Sequence, residues 1–289
     1  MSHQRYMRGI RNAVQTKTSH PLSNDELRAI APSIFAEEKH ESRSDRYAYL
    51  PTIEVVNAMR TEGFHPFFVA QSKSREEERR GFTKHMLRFR HERNFASPQG
   101  EFNEVVMVNS HDGTSSYQMM GGRFRMVCSN GLIAGDVLQE IKLPHVGVAA
   151  PDVIEGAWRV LDSFDELEQS VELMRETQLS LPEQHIFATN ALAEHFDMDN
   201  DFRPSSRDII VARRVQDQPN DLWTVFNRIQ ENMIRGGIPK TVNPPENGRR
   251  GTTRELTGVT ATTKLNRSLW NLAEQMRMVK NAPDLAELL

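Results

Sequence analysis

The chain has one cysteine, Cys128, among 289 residues. A single thiol excludes an intramolecular disulfide and fits a reducing compartment. No apolar run approaches the roughly 18 residues that a membrane-spanning helix needs. The basic start, MSHQRYMRGIRN, has no apolar h-region of the kind that marks a secretory signal. Together these absences point to a cytoplasmic protein with no membrane partner. No Gly-x-x-x-x-Gly-Lys-Ser/Thr loop occurs, so P-loop use of ATP is not expected. The ten histidines include no His-x-x-x-His or His-Glu-x-x-His pair that would aim two imidazoles from one helix face at a metal. No cofactor is expected.

A hydrophobic content of 38% with 26% charged residues is that of a folded globular chain, long enough to bury a core without staples. The net charge of −3 hides strong local imbalance. Residues 72–93 hold eight Lys/Arg against four Glu, and residues 235–267 hold seven against two. Residues 152–183 hold nine Asp/Glu against two Arg. The two basic zones are where an anionic partner would bind.

Periodicity and punctuation divide the chain into a flexible N-terminal arm (1–20), an α+β core (21–150), a helical region (151–235), a basic Pro/Gly/Thr-rich loop (236–263) and a last helix (264–289). Within the core, Ser23–Glu26 is a capping box that opens a short helix, and Pro51 opens a second helix over 52–62 that stops at Gly63. FHPFFVAQS, KHMLRFR, EVVMVNS, SYQMM and RFRMVCS then read as an antiparallel meander, with Gly121-Gly122 predicted as a hairpin turn. Residues 152–178 read as one long acidic amphipathic helix.

Ser110-His111-Asp112 is not a triad, because neighbours on a strand point to opposite sides. An Asx-type turn is the expectation there. Cys128 shares its parity with Phe124 and Met126 and reads as a structural thiol. A metal-dependent nuclease would have to assemble His40 and Glu41 with His111 and Asp112, which nothing in the spacing requires. No catalytic constellation is found. The arginine pattern remains. On two predicted strands basic residues alternate with apolar ones, so Lys84, Arg88, Arg90, Arg123 and Arg125 are expected to form a cationic sheet face that suits a phosphodiester backbone. Tyr117 and Phe82 are candidates for base stacking. Arg249, Arg250 and Arg254 would add an electrostatic clamp from the C-terminal loop.

The segments KHESRSDRYAYLPT, GFHPFFVAQS, KHMLRFR, NSHDGTSSYQMMGGRFRMVCSNGL and DLWTVFNRIQENMIRGG resemble, over nearly the whole chain, a family of phage/plasmid-like proteins of unknown function carried by enterobacterial prophages and plasmids. That resemblance supplies no activity and no catalytic residues. Residues 46–93, a helix running into a hairpin with a basic second strand, resemble the core of Rad-type single-strand annealing recombinases. This second resemblance implies a ring or filament of identical subunits with single-stranded DNA along a basic groove. The expected function is therefore ATP-independent binding and annealing of single-stranded DNA, by a homo-oligomer belonging to a mobile element. A protein-binding anti-restriction factor, whose acidic helix mimics DNA, and a metal-dependent nuclease are the alternatives.

Overall fold

The computed structural model describes residues 13–17, 19–37, 50–74, 76, 79–95, 100–125, 131–133, 141–143, 150–199, 202–240, 251–256 and 258–281. They fall into two compact units, Met1–Phe164 with Thr257–Thr260, and Asp165–Leu256 with Ala261–Leu289.

The first unit is α+β. Strand β1 (Ala13–Lys17) is followed by helix α1 (Asn24–Ile30), a 3-10 turn (Pro32–Phe35) and helix α2 (Thr52–Thr61). Strands β2 (Phe64–Ser72), β3 (His85–His91), β4 (Glu101–Asn109), β5 (Tyr117–Arg125), β6 (Gly131–Ile133) and β7 (Ile141–Leu143) come next, and helix α3 (Ala150–Asp162) closes the unit. The sheet is an antiparallel meander in the order β1-β2-β3-β4-β5-β6, with β7 also pairing β5. The capping box at Ser23 is present, its hydroxyl accepting from the Glu26 amide at 3.3 Å. Gly63 ends α2 at φ 83, the left-handed conformation that a side chain disfavours.

From β2 to β5 both faces of the sheet are buried, which departs from the expected one-sided pattern. One face, carrying Val69, Leu87, Phe89, Val105, Met107 and Met119, is the parity on which Val55, Val56 and Met59 of α2 and Val153 and Val160 of α3 build a core. The other carries a second cluster of Phe68, Ala70, Met86, Val106, Val108, Met120 and Phe124, joined by Val259. A strand buried on both faces loses the simple apolar/polar alternation.

Three further expectations are corrected. The N-terminal arm contributes β1, paired along β2 from Ala13–Ser72 to Lys17–Phe68. Gly121 and Gly122 are not a turn. They lie within β5 opposite Val105 and Glu104, and neither has the positive φ that a two-residue hairpin turn requires. The acidic helix is two helices, α3 and then α4 (Phe164–Glu176), parted at Ser163, whose amide and hydroxyl both donate to the Val160 carbonyl, at 3.2 and 2.7 Å.

The second unit contains the rest of α4 with α5 (Leu181–Ala193), α6 (Ser206–Ile209), α7 (Leu222–Arg235) and most of α8 (Val259–Asn281). Helix α7 is buried from Leu222 to Ile234 except at the half-buried Thr224, charged residues included. Its polar groups are used internally. Asn232 donates to the carbonyls of Ile209 and Val211, Gln230 donates to Asn266, and Glu231 pairs with Arg214 and Arg235. The segment predicted as loop 236–263 is tied at its base, where Gly237 N–H donates to Thr253 and Thr253 N–H returns to Ile238, and α8 already begins at Val259. Among the described residues no helix is long and apolar enough to cross a membrane.

Candidate nucleic-acid interface

The expected cationic face does not exist as drawn. Arg88 pairs in register with Val106, and Val106 with Met120. Arg123 is therefore one residue out of step, and it lies on the opposite surface of the sheet from Arg88 and Arg90. Both surfaces bury their arginines, with Arg88 and Arg90 each 2% exposed and Arg123 8%. Glu104, fully buried, receives the Arg90 Nε at 2.7 Å and holds the Arg88 Nε at 2.8 Å. Each guanidinium is also sandwiched between rings. Arg88 lies 4.3 Å from the Phe68 centroid and 3.7 Å from Phe124, and Arg90 lies 4.3 Å from Phe67 and 3.7 Å from Phe102. On the opposite face Arg123 donates to Glu101 at 2.9 Å and to Asn103 at 3.2 Å. These are structural cations, each buried and paired with a carboxylate inside the fold, and unable to reach a phosphate. The signal for this was Glu101 and Glu104 on the intervening strand.

The other expected site residues scatter. Tyr117 is fully buried and donates to the Leu50 carbonyl at 2.9 Å, so it is core and not a stacking platform. Phe82 is half-buried and its carbonyl anchors the His111 and Asp112 amides at 3.0 and 3.1 Å. Asp112 turns into its own loop, accepting from the Thr114 amide at 3.0 Å and hydroxyl at 2.7 Å in the Asx geometry that the sequence suggests. His111 points the other way, to Thr52, so these two do not converge on a metal. Among the described residues no group of three or more His, Cys, Asp or Glu could hold one. Arg254 is exposed, in the second unit. His40, Glu41, Cys128, Arg249 and Arg250 lie outside the described residues, as does the side chain of Arg125.

Of the expected sheet cations whose side chains are described, Lys84 alone reaches solvent, where its Nζ donates to the neutral Thr260 hydroxyl at 3.0 Å. It stands at the β2–β3 end of the sheet, the Ser72 amide donating to its carbonyl at 2.8 Å. Lys73, Arg79 and Arg80 are exposed at the same end, and Arg79 is paired with Glu76 at 2.7 Å. A cleft of about 470 Å³ opens there, lined on one side by Ala29, Ile30 and Pro32 and on the other by Gln71, Ser72, Lys73, Ser74 and Arg80.

Behind the cleft runs a buried polar chain whose protons can be assigned from its partners. Ser33 donates both its amide and its hydroxyl to Gln71 Oε1, at 3.1 and 2.9 Å. Its oxygen is therefore the acceptor toward His85 Nδ1 at 2.9 Å, which puts the His85 proton on Nδ1. His85 Nε2 then accepts from the Thr52 hydroxyl at 3.0 Å. Thr52 Oγ1 accepts in turn from Asn109 Nδ2 and from His111 Nε2, each at 3.0 Å. At the other end Gln71 Nε2 donates to the Arg80 carbonyl at 2.7 Å and to Thr83 Oγ1 at 3.0 Å. Gln71 thus has all four of its hydrogen-bonding positions occupied, and it ties the 3-10 turn to the hairpin that carries Arg80. Sequence reasoning could not find this chain, since it joins residues from 33 to 111.

Residues 39–270 match a family described as "Domain of unknown function (DUF932)". The chain is 45% identical over 256 residues to the UPF0380 protein YafZ of Escherichia coli (strain K12), covering 89% of this chain and 92% of that protein. It is 44% identical over the same length to the UPF0380 protein YfjQ of the same organism, with the same coverage. No solved structure matches it.

Proposed function

The chain belongs to the DUF932 family, and from its geometry we propose that it binds single-stranded DNA without ATP, holding the phosphodiester backbone at the β2–β3 end of its sheet. One observation carries this reading. Lys73 and Lys84, on opposite faces of that end, have no carboxylate partner among the described residues, whereas Arg88, Arg90 and Arg123 are internally paired. Arg80 adds a third cation beside Lys73. Annealing requires no bond chemistry, only neutralised phosphates and bases left open to pairing. The succession of α2 and the β2–β3–β4 meander supports reading the first unit as an annealing-type core. Self-assembly into a ring or filament belongs to the same proposal, and sedimentation showing only monomer at working concentration removes it.

The test is fluorescence anisotropy of a labelled oligo-dT across a salt series. Three phosphate contacts give a slope of log K against log salt of about −2, against roughly −3.5 for five. Lys73→Ala with Lys84→Ala should bring the slope to about −0.7. A slope near zero in the unaltered protein, or no change in the double variant, overturns the reading. A protein-binding, DNA-mimicking role is favoured by a different surface, since α4 exposes Asp165, Glu166, Glu168, Glu172 and Glu176. It is distinguished by co-purification of a nucleic-acid-binding protein in place of DNA, and by loss of that partner when these carboxylates are made amides.

A further inference from the structure

We propose that the cleft between α1 and the β2–β3 hairpin is a subsite for one nucleotide, its phosphate on Lys73 and Arg80 and its sugar and base on Ala29, Ile30 and Pro32. This deepens the single-strand reading and rests on it for the identity of the polymer, though the cleft can be tested by itself.

The two walls differ in chemistry as the two ends of a nucleotide do. Ala29 and Ile30 end α1 and Pro32 opens the 3-10 turn, so this wall offers carbon and no charge. The facing wall offers the Lys73 ammonium, the Arg80 guanidinium and two serines. Ser74 Oγ accepts from the Glu76 amide at 3.1 Å, which leaves its own O–H as a donor. A simple anion site has no use for the apolar wall, and an uncharged apolar ligand none for two neighbouring cations. The volume, about 470 Å³, lies within the range of roughly 300–1,000 Å³ usual for small-ligand pockets.

The cleft is also braced. Gln71 is 7% exposed, and its Oε1 holds the turn at Ser33 while its Nε2 holds the hairpin at Arg80. With no hydrogen-bonding capacity left for a ligand, Gln71 is a positioning residue, and it sets the separation of the walls. A preformed cleft loses less ordering entropy on binding than one assembled by the ligand.

Calorimetry on the full chain tests this with thymidine 5′-monophosphate, thymidine and inorganic phosphate as separate probes. The monophosphate should bind one to one. Thymidine and phosphate should each bind at least about tenfold more weakly, as each engages a single wall. Lys73→Ala should weaken the monophosphate about tenfold or more, the size of one charge-assisted hydrogen bond. Ala29→Glu should weaken it more than Ala29→Gln, which adds the same bulk without charge. Both substitutions fall on an exposed helix position, and an unchanged melting temperature confirms the fold. Phosphate binding as tightly as the monophosphate, no saturable binding, or indifference to these variants overturns the inference. If oligo-dT binds with the expected salt slope while the monophosphate does not, only the subsite falls. If the monophosphate binds while oligo-dT does not, the single-strand reading falls and a mononucleotide site stands.

Discussion

Replacing Glu104 by Gln keeps the shape of the side chain and removes the one carboxylate that Arg88 and Arg90 share. Both guanidiniums stay where they are, each between two phenylalanine rings and each 2% exposed. Removing one partner from a buried ion pair typically costs about 3–5 kcal/mol, because the remaining charge is poorly solvated. At about 2–4 °C per kcal/mol for a unit of this size, the melting temperature should fall by roughly 6–20 °C. Hydrogen exchange of the β3 and β4 amides is the suitable assay, since it reads the first unit irrespective of the second. Protection there should drop with Glu104→Gln. It should largely return in the triple variant Arg88→Met, Arg90→Met, Glu104→Leu, because well-packed apolar replacements of a buried charge cluster are often neutral or stabilising. Unchanged protection in Glu104→Gln would refute the reasoning, as would a triple variant no better than the single one.

Three other outcomes are expected. Thr52→Val keeps the packing volume but leaves His85, His111 and Asn109 without a shared partner, so stability should fall by about 3 kcal/mol or more, at roughly 1–3 kcal/mol per stranded buried group, measured by denaturant unfolding. Gly236 sits at φ 66, and a Cβ there would lie 2.5 Å from the Arg254 carbonyl carbon, so Gly236→Ala should destabilise the second unit by at least about 2 kcal/mol, while Gly237→Ala, which meets no neighbouring atom, should suffer only its backbone strain at φ 74. Burial, with Arg93 adding to it, holds the His91 imidazole below its ordinary 6.5. The unfolded chain therefore binds the proton more readily, and the His91 contribution, complete above pH 6.5, should be lost as pH falls below it, so a denaturant midpoint that does not drop between pH 7 and pH 5 would contradict that assignment.

Much of the first unit was readable from sequence. The Ser23 box, the helix before Gly63 and the succession of strands from 64 to 125 each carry a local signal in capping chemistry or alternation. Face assignment across strands does not. Period two says which residues of one strand agree, but agreement between strands depends on register, and here the β3–β4 and β4–β5 pairings set it. Arg88 and Arg123 looked equivalent for that reason. The Gly121-Gly122 pair misled in a related way, since a glycine pair marks a turn only when it takes positive φ. In β5 Gly122 instead lies opposite Glu104 and adds no side chain to the face that Glu104 shares with two arginines. The cleft residues were legible as a basic run over 72–84, but not their meeting with Ala29 and Pro32, which is a tertiary event.

The most direct measurement is the salt dependence of oligo-dT affinity in two variants compared with the unaltered chain. The triple variant that strips the sheet of Arg88, Arg90 and Glu104 should keep the slope near −2, while Lys73→Ala with Arg80→Ala should reduce it by about 1.4. A folded triple variant that loses DNA, beside a Lys73/Arg80 variant that keeps it, would put the nucleic acid back on the sheet face and contradict the account.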